Sequence, residues 1–87
     1  MAKVAYKVAV DGTMTRLPTT VAKMKLADVQ ATVGGDVDHV RGQDGTDLWC
    51  NENGLAERLP YNPLASKITG LYVIGVVIIE RFMQKGY

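Results

Sequence analysis

Leu71-Tyr72-Val73-Ile74-Gly75-Val76-Val77-Ile78-Ile79 is the stretch on which the fold turns. Val73, Ile74, Val76, Val77, Ile78 and Ile79 are β-branched. Such side chains lose rotamer freedom in a helix and pack well on a pleated surface. The stretch therefore predicts the most buried strand of the chain. Gly75 interrupts it, the mark of a bulge or of a close backbone approach. The whole apolar run, Ile68 to Ile79, is closed by Glu80 and Arg81. It falls short of the roughly 20 residues that a spanning helix needs.

Downstream, Ile79, Phe82 and Met83 recur at helical spacing and predict a short last helix ending near Gly86. Isolated helices under about 12 residues are marginal, so this stripe must pack either on its own sheet or on a second copy. Ile79, Phe82 and Met83 are accordingly the candidate oligomer interface. Upstream, Leu59-Pro60 excludes a helix interior, because a residue before proline is pushed toward extended geometry. Asn62-Pro63 reads as an N-cap followed by proline at the first helical position. One or two turns are expected over Pro63 to Ile68, stopped by Gly70.

At the other end, Val4, Tyr6, Val8 and Val10 alternate with Ala5, Lys7 and Ala9, which is the period of a half-buried strand. Asp11-Gly12 is a hairpin signal, with Thr13 to Leu17 returning and Pro18 stopping the pair. A helix is expected between Val21 and Val33, with Leu26, Val29 and Val33 as its stripe and Gly34 at its C-terminal cap. Val37 to Arg41 and Leu48 to Asn51 predict a second hairpin across Gly42-Gln43-Asp44-Gly45. The fold class is thus α+β: a small, mostly antiparallel sheet with one main helix packed on one face and a short C-terminal helix. Residues 1–87 make a single domain, with a core over 2–79 and a helical extension over 80–87.

Composition limits function. The chain has 87 residues, 47% apolar and 22% charged, with a net charge of +1. This is globular composition, and a chain so nearly neutral is not a general nucleic-acid or membrane-surface binder. The charge is segmented all the same. Residues 1–35 hold five bases and two acids, residues 36–57 hold six acids and Arg41, and residues 58–87 hold four bases and one acid. The acidic segment reads either as solvated loops or as electrostatic complementarity within an oligomer or toward a basic partner. Cys50 is the one cysteine, so no intramolecular disulfide or cysteine-rich zinc site is possible. With no apolar signal segment after Lys3 and Lys7, a cytoplasmic location is expected.

No established catalytic or ligand motif is present. His39 is a lone histidine beside Asp36 and Asp38, and a single such ligand is poor evidence for a metal. Cys50 and His39 lie on neighbouring strands, but no third orienting group accompanies them. Asp44, Asp47 and Glu52 lack the spacing of a calcium loop. The richest polar stretch is Asn51-Glu52-Asn53-Gly54 with Arg58, Tyr61 and Asn62, which offers directional hydrogen bonds, a ring and a cation. Asn51, Glu52, Asn53, Arg58, Tyr61 and Asn62 are the candidate binding residues. The plain alternative for them is turn and capping chemistry. No cofactor, metal or catalytic residue is expected.

Taken in order, a first hairpin, Val33-Gly34-Gly35, the turn Asn51 to Gly54, the segment Leu59, Pro60, Asn62 and Ala65, and a hydrophobic strand broken by Gly75 make up a pattern. This pattern resembles a family of small uncharacterised proteins of phages, prophages and plasmids, over residues 4–79. The resemblance implies an accessory protein of a mobile element inside a bacterial host, with no settled activity. Two expectations follow. The first is a non-catalytic binding protein, directed at a host protein in host takeover or counter-defence. The alternative is a homo-oligomer that sequesters a small nucleotide-like ligand between subunits. A small hydrolase comes third.

Overall fold

Backbone pairing runs six residues deep along Val77–Phe82, and the rest of the chain is arranged around that strand. In the computed structural model, which describes residues 2–83, the strands are β1 (Lys3–Val8), β2 (Met14–Arg16), β3 (Val37–Arg41), β4 (Asp47–Asn51) and β5 (Val77–Phe82). The helices are α1 (Leu26–Val33) and α2 (Pro63–Thr69), with single 3-10 turns at Val21–Lys23 and Gln43–Gly45. One sheet takes the order β2-β1-β5-β4-β3. Every ladder in it is antiparallel. The fold is α+β, and no described helix is long and apolar enough to cross a membrane.

Side-chain alternation divides the sheet into two apolar faces. Val8, Leu48, Val77 and Ile79 pack with Ala65 of α2 and with Val73. Ala5 and Ile78, on the other face, pack with Val29 of α1. The expectation of one helix on one face is therefore corrected: a helix lies on each face, which is why the middle of β5 is buried on both sides. Val8, Val77, Ile78 and Ile79 are at most 1% exposed. Complete burial of such side chains is worth about 1.5–3 kcal/mol each.

Local signals end the helices as their residues dictate. Gly34 and Gly70 cap α1 and α2 in left-handed geometry, φ 85° and 72°. Asn62 caps the start of α2, its side chain accepting the Ala65 N–H at 3.1 Å.

Two expectations fail. First, Leu71 to Val76 is not strand, although it is rich in β-branched residues. Its polar backbone groups are taken elsewhere: the Val73 N–H donates to Ser66 Oγ (2.9 Å) and the Val73 carbonyl accepts the Asn62 N–H (2.8 Å). Only Tyr61 and Ile74 form a bridge. Gly75 turns the chain at φ 77°, donating to the Pro60 carbonyl at 2.7 Å. Second, residues 80–82 are strand and not helix. Lys3 to Val8 offer a register partner to every residue from Phe82 to Val77, and that ladder overrides the helical spacing. The stripe Ile79, Phe82, Met83 is thereby broken up: Ile79 is in the core at 1% exposure, while Phe82 (47%) and Met83 (44%) are open. The remainder of the expected helix, residues 84–87, lies outside the described residues.

Candidate functional site

On the α1 face the register sets charged groups in rows. Arg41, Asp47, Glu80 and Ala5 are successive partners across β3, β4, β5 and β1. His39, Trp49, Ile78 and Lys7 form the next row. The first row thus sets two acids side by side at the centre of a sheet, and both are buried: Asp47 is 6% exposed and Glu80 is 4%. Buried carboxylates need partners, because desolvation of an unpaired charge costs several kcal/mol.

The partners come from three directions. Glu80 Oε2 accepts the Val21 backbone N–H at 2.8 Å, which ties the crossover before α1 onto the sheet. Lys3 Nζ stands 3.8 Å from Asp47 Oδ2 and 3.9 Å from Glu80 Oε1, and it also lies 5.2 Å from the centre of the Phe82 ring. Asp47 Oδ1 meets His39 Nε2 at 3.0 Å and Arg41 at 3.6 Å. The His39 ring in turn stacks on Trp49, with centroids 4.8 Å apart. The cations are on the wet side of this cluster and the carboxylates on the dry side. The Lys3 and Arg41 ion pairs are therefore half-screened, and the Val21 N–H is the backbone donor that the cluster holds directly.

Two concavities flank the cluster. An apolar groove of about 310 Å³ runs between α1 and β3, lined by Met24, Leu26, Val29, Val37, His39 and Trp49 among others. A polar cleft of about 230 Å³ lies beyond Lys3, where β2 has ended, and Arg16 and Lys23 also line it.

The residues singled out from the sequence do not converge on this place. Asn62 is fully buried. Its amide donates to the Val8 carbonyl (3.1 Å) and the Gly75 carbonyl (2.9 Å), so it clamps α2 to the sheet. Asn51 is buried as well, donating to the Val33 carbonyl and accepting the Asn53 N–H. Both amides are engaged inside the chain. Glu52, Asn53 and Arg58 are exposed. Tyr61 is exposed and stacks on Tyr72 at 5.2 Å. Cys50 lies on the opposite face from His39, packed beside Leu48 and Leu71. Its thiol is pushed above the ordinary value by burial and then by the Asp38 charge. Among the described residues no group of three or more His, Cys, Asp or Glu is placed to hold a metal ion. Sequence reasoning missed Asp47 and Glu80 as a pair, and with them Lys3, Arg41 and Trp49. The available signal was Glu80 itself, a carboxylate at the end of a run of buried aliphatic residues.

An antiparallel sheet with a helix on each face and a carboxylate pair under one crossover defines a small α+β domain with an ionic anchor. The chain belongs to the DUF3846 family, a domain of unknown function whose family model matches residues 5–81. No curated protein matches it, and no solved structure does.

Proposed function

We propose that this chain is a non-catalytic binding protein whose working surface is the apolar groove on the α1 face. The observation that carries the reading is the way the cluster beside the groove spends its charges. Glu80 holds the Val21 N–H, and Asp47 holds Lys3, His39 and Arg41. These acids fasten one wall of the groove to the sheet and shape a surface. Leu26 stands on that wall at 66% exposure. A groove with a Trp and a His at its polar end suits an apolar side chain of a protein partner.

The context proposed for it is that of an accessory protein of a mobile element, acting in the cytoplasm of a bacterial host and blocking a host protein. The test is affinity capture from bacterial lysate with the wild-type chain and two variants, Leu26→Asp in the groove and Leu55→Asp, an exposed residue that does not line it. The reading expects a stoichiometric partner that Leu26→Asp loses and Leu55→Asp keeps. A partner retained equally by both variants, or none at all, overturns it.

A further inference from the structure

The outer edge of β3 carries an inference that rests on the reading of the α1 groove and names the kind of partner that reaches it. β3 ends the sheet, with β4 on one side and no strand on the other. The Gly42 N–H donates to the Thr46 carbonyl at 2.8 Å, and the Glu52 N–H to the Asp36 carbonyl at 2.7 Å. These bonds bracket the β3–β4 ladder and set its phase. Even-numbered residues of β3 turn their backbone groups toward β4, so Val37, His39 and Arg41 turn theirs outward. Among the described residues those outward groups meet no hydrogen-bond partner. β2, at the opposite edge, offers less: it is three residues long and Pro18 follows soon after it.

Val37 and His39 also line the apolar groove, beside Leu26, Val29 and Trp49. A strand added outside β3 lies about 4.8 Å from it. Its residues opposite Val37 and His39 share their face of the sheet and stand at the groove. Free backbone groups and an apolar pocket thus adjoin, the combination by which a sheet edge takes up an extended peptide.

The charges decide which strand fits. The antiparallel registers in which a second copy pairs most of β3 are centred on Asp38, His39 or Val40. Centred on Asp38, the two Asp38 side chains stand opposite each other. Centred on Val40, His39 stands opposite Arg41 on both sides of the axis. Centred on His39, the two histidines meet, and Asp38 and Arg41 face valines. No such register pairs opposite charges, and like charges directly opposite are destabilising. Asp38 and Arg41 thereby guard the edge against self-pairing, as charges do on exposed strands. A strand of another protein is free of this restriction. It complements β3 with an acid opposite Arg41, a base opposite Asp38 and an apolar residue opposite Val37.

We propose that β3 takes up an extended segment of another protein as a sixth, antiparallel strand of the five-stranded sheet. Read along that segment, the pattern is an acid, two unrestricted residues, a base and an apolar residue.

The experiment selects a display library of random nine-residue peptides on the full chain, then follows the enriched peptide, made synthetically, by amide-resolved NMR. The pattern should be enriched. Saturating peptide should slow amide exchange at Val37, His39 and Arg41 in alternation, leaving Asp38 and Val40 little changed. N-methylation of the peptide residue two places after the acid, whose N–H faces β3, should weaken binding about tenfold, the size of one hydrogen bond. N-methylation one place after the acid, where the N–H points away, should leave it near the unmodified value. Asp38 is exposed, so Asp38→Lys tests the charge without disturbing the core. It should weaken the enriched peptide, and a peptide with glutamate in place of its base should recover binding to that variant. Binding lost in Leu26→Asp but indifferent to both N-methylations overturns strand addition and leaves the groove reading standing. Binding that follows the N-methylations but is unaffected by Leu26→Asp supports strand addition and removes the groove. A selection without the pattern or without any binder overturns the proposal. So does protection of the same three amides that rises with protein concentration alone, which places a second copy on the edge.

Discussion

Asp47 and Glu80 face each other across the β4–β5 ladder, both buried, with the Lys3 ammonium within 4 Å of each. Two like charges side by side repel, and that cost is offset only where each acid has its own donor. For Glu80 this donor is the Val21 N–H. Glu80→Gln keeps an acceptor for it, whereas Glu80→Ala leaves it with none. The alanine variant should therefore be less stable than the glutamine variant by about 0.5–1.5 kcal/mol, the net worth of one hydrogen bond at a half-buried donor. Urea unfolding measures the difference, and amide exchange at Val21 should accelerate in Glu80→Ala alone. Equal stability of the two would mean that Glu80 acts through its charge and not through this bond.

Asn62 is a second anchor, of the opposite polarity. Its amide donates to two carbonyls, those of Val8 and Gly75, while its oxygen accepts from Ala65. Asn62→Asp replaces two donors with a carboxylate facing two carbonyl oxygens in a site closed to water. A loss of about 3 kcal/mol or more is expected at neutral pH, from unpaired buried polar groups and a desolvated charge. Asn62→Ala, which deletes the group, should cost less. Urea midpoints rank the three proteins, and an aspartate variant as stable as wild type would show that Asn62 is not clamped as described.

The start of α2 and the glycines that end both helices could be read from the sequence, and so could the hairpins, because those signals are local; the start of α1 after Lys25, which has no side-chain cap, could not. Asn62-Pro63 starts α2, Gly34 ends α1, and β3 takes the bounds Val37–Arg41 that its residues suggest. What the sequence hid was long-range. Leu71 to Val76 has the composition of a strand, but Asn62 and Ser66 occupy its backbone groups. Ile79, Phe82 and Met83 have helical spacing, but β1 provides a ladder for Ile79 and Phe82, and the Met83 N–H donates to the Ala2 carbonyl just beyond it. The Asp47–Glu80 pair depends on the β4–β5 register, and no local pattern encodes which residues of two distant strands will meet. The polar residues that stood out, Asn51 and Asn62, did so because buried turns need amides.

Gly75 adopts φ 77°, and a Cβ built there would lie 2.8 Å from Leu59 Cδ1. Two costs are mixed in this position. The Leu59 tip can swing away, but the positive φ cannot be relieved. Gly75→Ala should cost about 1–3 kcal/mol, the range for a residue held in a sparsely populated backbone region. Adding Leu59→Ala to it removes the collision and should restore only the smaller share. A double-mutant cycle by urea unfolding separates the two. Full recovery in the double variant would assign the cost to the collision.

Cys50 and Asp38 are register partners in the β3–β4 hairpin, and the Cys50 Sγ lies 3.8 Å from the Asp38 carbonyl oxygen. Burial, and after it the Asp38 carboxylate, raises the thiol above its ordinary value. Folding therefore favours the protonated thiol. A group with a raised folded value contributes stability that is fully present below the unfolded value, about pH 8.5 for a cysteine. It is lost as the pH rises through the folded value, since the unfolded chain releases its proton first. Urea midpoints measured from neutral pH upward should fall more steeply for wild type than for Cys50→Ala. Reactivity follows the same sign, because the thiolate is the nucleophile. Near pH 8, alkylation by iodoacetamide should be slower in the folded chain than in the urea-unfolded chain. Asp38→Asn, which removes the neighbouring charge but leaves the burial, should speed the folded reaction part of the way. If that variant reacts no faster than wild type, burial alone protects the thiol and the cross-strand charge does nothing.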